Sequence, residues 1–274
     1  MAPRSLTSMV YADLHVHTQN SDGTLTLADV PGAAREAGVR VVAITDHDRL
    51  HPGLDDPVTE LDGVQLVHGI ELRVEAGDQR LDLLGYGVSQ TDALAAETER
   101  IQRDRVERGR RIIENVEDAL GVSLPVEPRE GLGRPHIARS VVDHADTDYD
   151  SVGAVFDDLI GDDGPCFVAR DVPDFQTGVD LLSEACGLVG LAHPLRYLDP
   201  EAALARCDAL DAVERYYPYD RPLGADPTAD GPAKVDAAIE THDLLATGGS
   251  DAHDFELGKA GLDEADFGAV SDRL

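Results

Sequence analysis

Asp13-Leu14-His15-Val16-His17-Thr18, DLHVHT, stands where an apolar run emerges from a short N-terminal tail, and it sets polar side chains at every second position. A strand sends residues i, i+2 and i+4 to one side, so Asp13, His15 and His17 converge while Leu14 and Val16 pack the other way. That face suits a metal ion. Two imidazoles satisfied by hydrogen bonds at a strand end are the alternative, and this motif alone does not separate the two.

Further β-type runs follow, and several end in residues able to bind a metal or a substrate: VRVVAITDHD (39–48), VQLVHGIEL (64–72), LDLLGYGV (81–88), GLVGLAHPLRY (187–197), LDAVERYY (210–217) and LLATGGSDAH (244–253). Between the first two strands, Thr26 and Asp29 resemble a capping box, Leu27, Val30, Ala34 and Ala37 form an apolar stripe, and Gly38 stops the helix. Strand, helix, strand is the rhythm of an α/β fold. Polar residues at strand ends fit both a barrel and an open doubly wound sheet. Convergence from both ends of the chain, Asp13 to His17 with Asp251 to His253, favours a sheet that closes. Residues 91–182 differ: Leu94, Ile101, Ile112, Val116 and Leu120 mark a long helix, and Pro135 opens another. The expected organisation is a barrel of residues 11–90 and 183–274, with a mostly helical insertion, 91–182, contributing to the cleft. YPYDRPLGADPTADGP (217–232) reads as a loop.

The chain has 274 residues, 42% hydrophobic but only 4% aromatic and without Trp, so its core must be mainly Val, Leu, Ile and Ala. No run is long enough to span a bilayer and MAPRSLTSMV lacks a signal-peptide h-region, so no membrane association and a cytoplasmic location are expected. Cys166, Cys186 and Cys207 are odd in number, widely spaced and in no C-x-x-C pattern, so neither a disulfide framework nor a thiolate zinc site is indicated. Acidic residues number 54 against 23 basic ones, with Lys234 and Lys259 the only lysines and a net charge of -31. Spread through core-forming sequence, the acids predict a solvated shell resembling that of halophile proteins, since at 1 M salt the Debye length is only about 3 Å.

The polar clusters are TDHD (45–48), Glu71 in HGIEL, Asp82 between Leu81 and Leu83, His136 at a helix start, and Asp251 with His253 in GGSDAH. Each alone has an ordinary structural explanation; their joint occurrence at strand ends does not. The series DLHVHT…SDG, AITDHD, GIE, LGYG, GRPHIAR, LAHPLRY and GGSDAH is similar to the polymerase and histidinol phosphatase (PHP) family of metal-dependent phosphoesterases, and the likeness runs from about Asp13 to Phe267. The branch it most resembles hydrolyses nucleoside 3',5'-bisphosphates and short 5'-phosphorylated RNA. The fold this implies is a distorted (βα)7 TIM-like PHP barrel.

The resemblance also implies a three-metal site. His15, His17 and Asp251 would hold one ion, which Glu71 would bridge to a second that takes His136 and Asp82. Asp22, His47 and His253 would hold a third. Many relatives have His where this chain has Asp82, which shifts preference from Zn towards Mn, Fe or Mg. Two to three divalent ions, Mn, Fe or Zn with Mg also compatible, are therefore expected. Imidazole and carboxylate donors without thiolate suit such ions, and a bridged pair supports attack of a metal-activated hydroxide on phosphorus.

Arg134 and Arg139, flanking His136, and Arg196 are candidate phosphate ligands, with ion pairing to the abundant acids as the alternative. His193 is the candidate catalytic residue, orienting phosphate or protonating the leaving oxygen, with a structural hydrogen bond as the alternative. Asp13 and Asp46 are expected to accept from ligand imidazoles. His51, His68, His144 and His242 are expected to be structural or exposed, and the glycines of GGSDAH to serve tight turns. Arginines along the 91–120 helix are interleaved with acids, which favours pairing along the helix over a polyanion path. The expected substrate is a small nucleotide phosphate or short RNA, with no membrane and no obligate protein partner. Histidinol phosphate is the alternative substrate, and a non-catalytic metal-binding regulatory module the alternative class.

Overall fold

The computed structural model describes residues 9–219 and 230–274. Most of the N-terminal tail and of the 217–232 loop lies outside the described residues. The chain divides into two compact units, residues 1–96 with 173–274 and residues 97–172.

The first unit is built on one sheet. Strands β1 (Ala12–Val16), β2 (Val41–Ile44), β3 (Val58–Leu61), β4 (Val64–Glu75), β5 (Arg80–Tyr86), β6 (Leu188–Leu191), β7 (Ala212–Tyr216) and β8 (Leu245–Gly248) run in the spatial order β1-β2-β4-β5-β6-β7-β8, with β3 paired to β4. β1, β2 and β4 are mutually parallel, as are β6, β7 and β8. β5 alone on this path is antiparallel to both neighbours. Its inversion follows from the short β4–β5 turn, where Gly77 takes φ 83°, a conformation Gly adopts without steric cost. A two-strand hairpin replaces a βα unit there, which distorts the barrel the sequence predicts. The curled sheet returns on itself after β8: His17 N–H donates to Ala252 O at 2.9 Å, and Ala252 N–H to His15 O at 3.3 Å.

Helices α1 (Val30–Ala37), α5 (Phe175–Ala185), α6 (Pro200–Leu204), α7 (Gly231–His242) and α8 (Glu264–Ser271) belong to this unit. Gly38 ends α1 with φ 76°. β1 and β2 are buried along their whole length, as expected of parallel strands covered on both faces. Two aliphatic clusters provide the core, one around Leu14, Ala43, Leu84 and Leu188, the other around Val16, Val30, Ile44 and Leu66.

In the second unit lie most of α2 (Asp92–Leu120), then α3 (Arg134–Val142) and α4 (Val152–Val155), which continues into a π-turn at Phe156–Ile160. Ile112, Val116, Ile137, Val141, Val155 and Ile160 form its core. This compact unit is narrower than the 91–182 segment because α5 packs against β4, β5 and β6. Four arginines of α2 pair along the helix, Arg100 with Glu97, Arg103 with Glu99, and Arg110 and Arg111 with Glu107, while Arg108 donates to Val168 O. No described helix is long and apolar enough to cross a membrane, and the three cysteines are unpaired thiols.

Candidate metal centre

Alternation along β1 delivers His15 and His17 to one face, both wholly buried. Their ring centroids are 5.1 Å apart. Asp251 follows β8 at φ 50°, and its Oδ1 lies 3.1 Å from His17 Nε2 and 3.7 Å from His15 Nε2. Glu71 projects from β4 into the same space, with His15, His17, His47 and His193 nitrogens 2.8–3.4 Å from its two oxygens. Asp22 Oδ1 lies 3.3 Å from His253 Nε2 and 3.8 Å from His47 Nε2.

Three groups have ligand atoms close enough to share an ion: His17, Asp22, His47 and His253; His15, His17 and Glu71; and Glu71, Asp82 and His193. His15 Nε2, both nitrogens of His17, Asp22 Oδ1 and Glu71 Oε2 are buried without a hydrogen bond. Buried polar atoms are normally satisfied, so orphans grouped within reach of a shared ion fit divalent cations. Mixed imidazole and carboxylate donors without sulfur fit hard to borderline ions.

Protonation reports the same crowding. Burial would depress His47, yet the Glu71 and Asp22 carboxylates raise it to about 9. His15 is likewise lifted well above the usual range against its burial, by Glu214, Glu71 and Asp251. Burial and the His253 and His47 rings hold His17 down. Glu71 and Asp251 stay far below ordinary carboxylates, the imidazoles outweighing their burial.

The structure corrects the support of these ligands. Asp13 accepts from Ser250 N–H, Ser250 Oγ–H and Gly258 N–H at 2.6–2.8 Å. Asp46 accepts from Thr18 N–H and Oγ1–H and from Ser21 Oγ–H at 2.7–2.8 Å. Neither carboxylate meets a ligand imidazole; each ties the backbone of one loop to another. The imidazole's acceptor is Glu214, which sequence reasoning missed. Wholly buried on β7, its Oε1 lies 3.0 Å from His15 Nδ1, and its Oε2 accepts from His193 N–H at 2.7 Å. An acid inside the apolar run of β7 was the available signal. The glycines of GGSDAH also serve close approach instead of turns: a Cβ on Gly249 would lie 2.3 Å from His15 Cβ, and one on Gly248 2.7 Å from Tyr216 O.

His193 sits at φ 27° after β6, with Nε2 2.9 Å from Glu71 Oε1 and Nδ1 buried without a hydrogen bond. Arg196 Nη1 donates to Asp251 Oδ2 at 3.0 Å and to Tyr217 Oη at 2.6 Å. Tyr217, also missed, donates to Asp251 Oδ2 at 2.7 Å. Arg134, His136 and Arg139 lie in the second unit. There Arg134 donates to Ile160 O and Asp162 at 2.7–3.0 Å, Gly133 N–H donates to His136 Nδ1 at 3.0 Å, and Arg139 is exposed. Of the remaining histidines, His68 is buried and held down to about 4 by its burial.

Residues 13–131 match the family model described as PHP domain. The chain is 32% identical over 262 residues to a phosphoribosyl 1,2-cyclic phosphate 1,2-diphosphodiesterase of Eggerthella lenta, covering 88% of this chain and 93% of the relative. It is 28% identical to a 3',5'-nucleoside bisphosphate phosphatase of Chromobacterium violaceum, with 89% and 88% covered, and 27% identical to the 5'-3' exoribonuclease Rnm of Escherichia coli, with 91% and 89% covered. Among solved structures, an amidohydrolase from Chromobacterium violaceum superposes with a TM-score of 0.76 at 23% identity over 96% of each chain.

Proposed function

The chain belongs to the PHP family and is a metal-dependent phosphoester hydrolase; from that premise we propose that it acts on phosphomonoesters of nucleotides, such as nucleoside 3',5'-bisphosphates, or on short 5'-phosphorylated RNA. The observation that carries this reading is the convergence of orphaned imidazole and carboxylate atoms at buried strand ends. The relatives named as bisphosphate phosphatase and exoribonuclease support the substrate class.

In this reading His15, His17, Asp251 and Glu71 hold one divalent ion, and His17, Asp22, His47 and His253 offer donors to another. Bound ions of the Mn, Fe or Zn type supply positive charge to the phosphoryl group and make water acidic enough to ionise near neutral pH. The chain does the rest. Glu214 fixes the ring of His15 through Nδ1 and, through the His193 N–H, the turn that carries His193. Arg196 and Tyr217 hold Asp251 Oδ2, leaving Oδ1 turned towards His15 and His17. His193, at the edge of this donor set, orients the phosphate or gives a proton to the leaving oxygen.

The test is phosphate release by the manganese-loaded chain from adenosine 3',5'-bisphosphate, AMP, a ribose 1,2-cyclic phosphate, histidinol phosphate and a 5'-phosphorylated RNA oligomer, beside a metal-stripped control. Turnover of the bisphosphate or the RNA that vanishes on stripping is expected. Preference for the cyclic ester or histidinol phosphate would overturn the substrate assignment.

A further inference from the structure

Arg73 lies two residues beyond Glu71 on β4, so both side chains leave the same face of the strand. The β4–β5 register sets Arg73 directly opposite Asp82, and Glu71 opposite Leu84. Directly opposed residues bring their Cβ atoms to within about 4.5–5.5 Å. The guanidinium exploits this: Nε donates to Asp82 Oδ1 at 2.6 Å and Nη2 to Asp82 Oδ2 at 2.5 Å. Asp82 is 2% exposed, whereas the Arg73 side chain is 29% exposed.

Asp82 belongs to the group with Glu71 and His193 whose ligand atoms could share an ion. Both of its oxygens are already taken by a fixed cation that the same hairpin supplies. A divalent ion there would compete with this bidentate pair for the Asp82 charge and would sit beside a guanidinium, a like-charge contact. Arg196, by contrast, takes only Oδ2 of Asp251 and leaves Oδ1 turned towards His15 and His17.

We infer that Arg73 is the third cation of this centre: the chain binds two divalent ions, and the Arg73 guanidinium stands where a third would be and presents its remaining donors to a phosphate oxygen. This rests on the ion-binding reading of His15, His17, Asp22, His47, Glu71, Asp251 and His253. The chemistry suits the role, because Arg carries five donors in a rigid fork and Asp82 uses two of them. Only Nε and Nη2 are engaged by Asp82, and the half-buried Arg73 is the less buried member of the pair.

The experiment counts manganese by mass spectrometry in full-length chain loaded with Mn2+ and freed of excess by gel filtration. About two ions per chain are expected in the unsubstituted protein, and about three in Arg73→Met, where Asp82 is released to join Glu71 and His193. The double variant Arg73→Met/Asp82→Asn removes both charges together, so no lone buried carboxylate threatens its fold, and it should again hold about two ions. In that double variant, inorganic phosphate should bind the loaded protein about tenfold more weakly by calorimetry. About three ions in the unsubstituted chain, no gain in Arg73→Met, or unchanged phosphate affinity in the double variant would each overturn the proposal. An unsubstituted chain that takes up no manganese would instead overturn the centre itself, and this proposal with it.

Discussion

Glu214→Gln tests whether a buried carboxylate sets the ion affinity of a ring it does not share with the ion. Glu214 faces two donors, the His15 ring at 3.0 Å and the His193 N–H at 2.7 Å, and is itself wholly buried. An amide offers one accepting oxygen and one NH2, so one of the two contacts must fail. Either His193 N–H faces an NH2, or His15 changes tautomer and turns an N–H from Nε2 towards Glu71 and Asp251. Leaving one buried donor unsatisfied costs about 1–3 kcal/mol. Loss of such an outer partner costs roughly 10–100-fold in metal affinity, equivalent to about 1.4–2.7 kcal/mol. Glu214 also contributes to raising the His15 pKa, so its removal relieves proton competition at low pH. The affinity deficit should therefore widen as pH rises. Competition titration of manganese against a chromophoric chelator, run as a pH series, reads this directly, with circular dichroism confirming the fold. Equal affinity at every pH in a folded Glu214→Gln protein would refute the reasoning.

Three further outcomes follow from particular contacts. In the metal-free chain His47 is raised from 6.5 to about 9, so its contribution to stability is complete below pH 6.5 and fades as pH rises through about 9. The melting temperature measured in chelator should fall across that window, and His47→Gln should flatten its fall. Gly249→Ala places a methyl group 2.3 Å from His15 Cβ. Displacement of β1 should cost about 1–3 kcal/mol or more and lower manganese content, read by melting and mass spectrometry. Leu66→Ala, at a fully buried position of β4, should cost about 2–5 kcal/mol in urea denaturation while leaving the manganese count unchanged. A lower count there would show that the centre depends on the core more broadly than the ligand contacts imply.

Much of the centre is legible in the sequence, for a physical reason. In a strand the side-chain period is two, so His15 and His17 had to share a face once β1 was recognised, and an acid such as Glu71 at the end of an apolar run stood out against its neighbours. Glu214 carries the same signal in a shorter run, and Arg73 and Tyr217 carry none, because an arginine or a tyrosine near a strand end is ordinary until its partner is known. Asp13 and Asp46 show the converse. Their place beside ligand histidines suggested imidazole acceptors, but strand geometry sends their oxygens to the Ser250, Gly258 and Thr18 N–H groups.

By itself, then, the sequence determined the strand-helix-strand rhythm, the apolar residues that bury β1 and β2, the thiolate-free donor set and the family. Each depends on spacing within a few residues. Only the tertiary structure decided that β5 is inverted, that Glu214 reaches His15 from 199 residues away, and that Asp82 pairs with Arg73 across the β4–β5 hairpin. These are matters of register and closure. A one-residue shift between β4 and β5 would move Asp82 to the opposite face while leaving every local pattern intact.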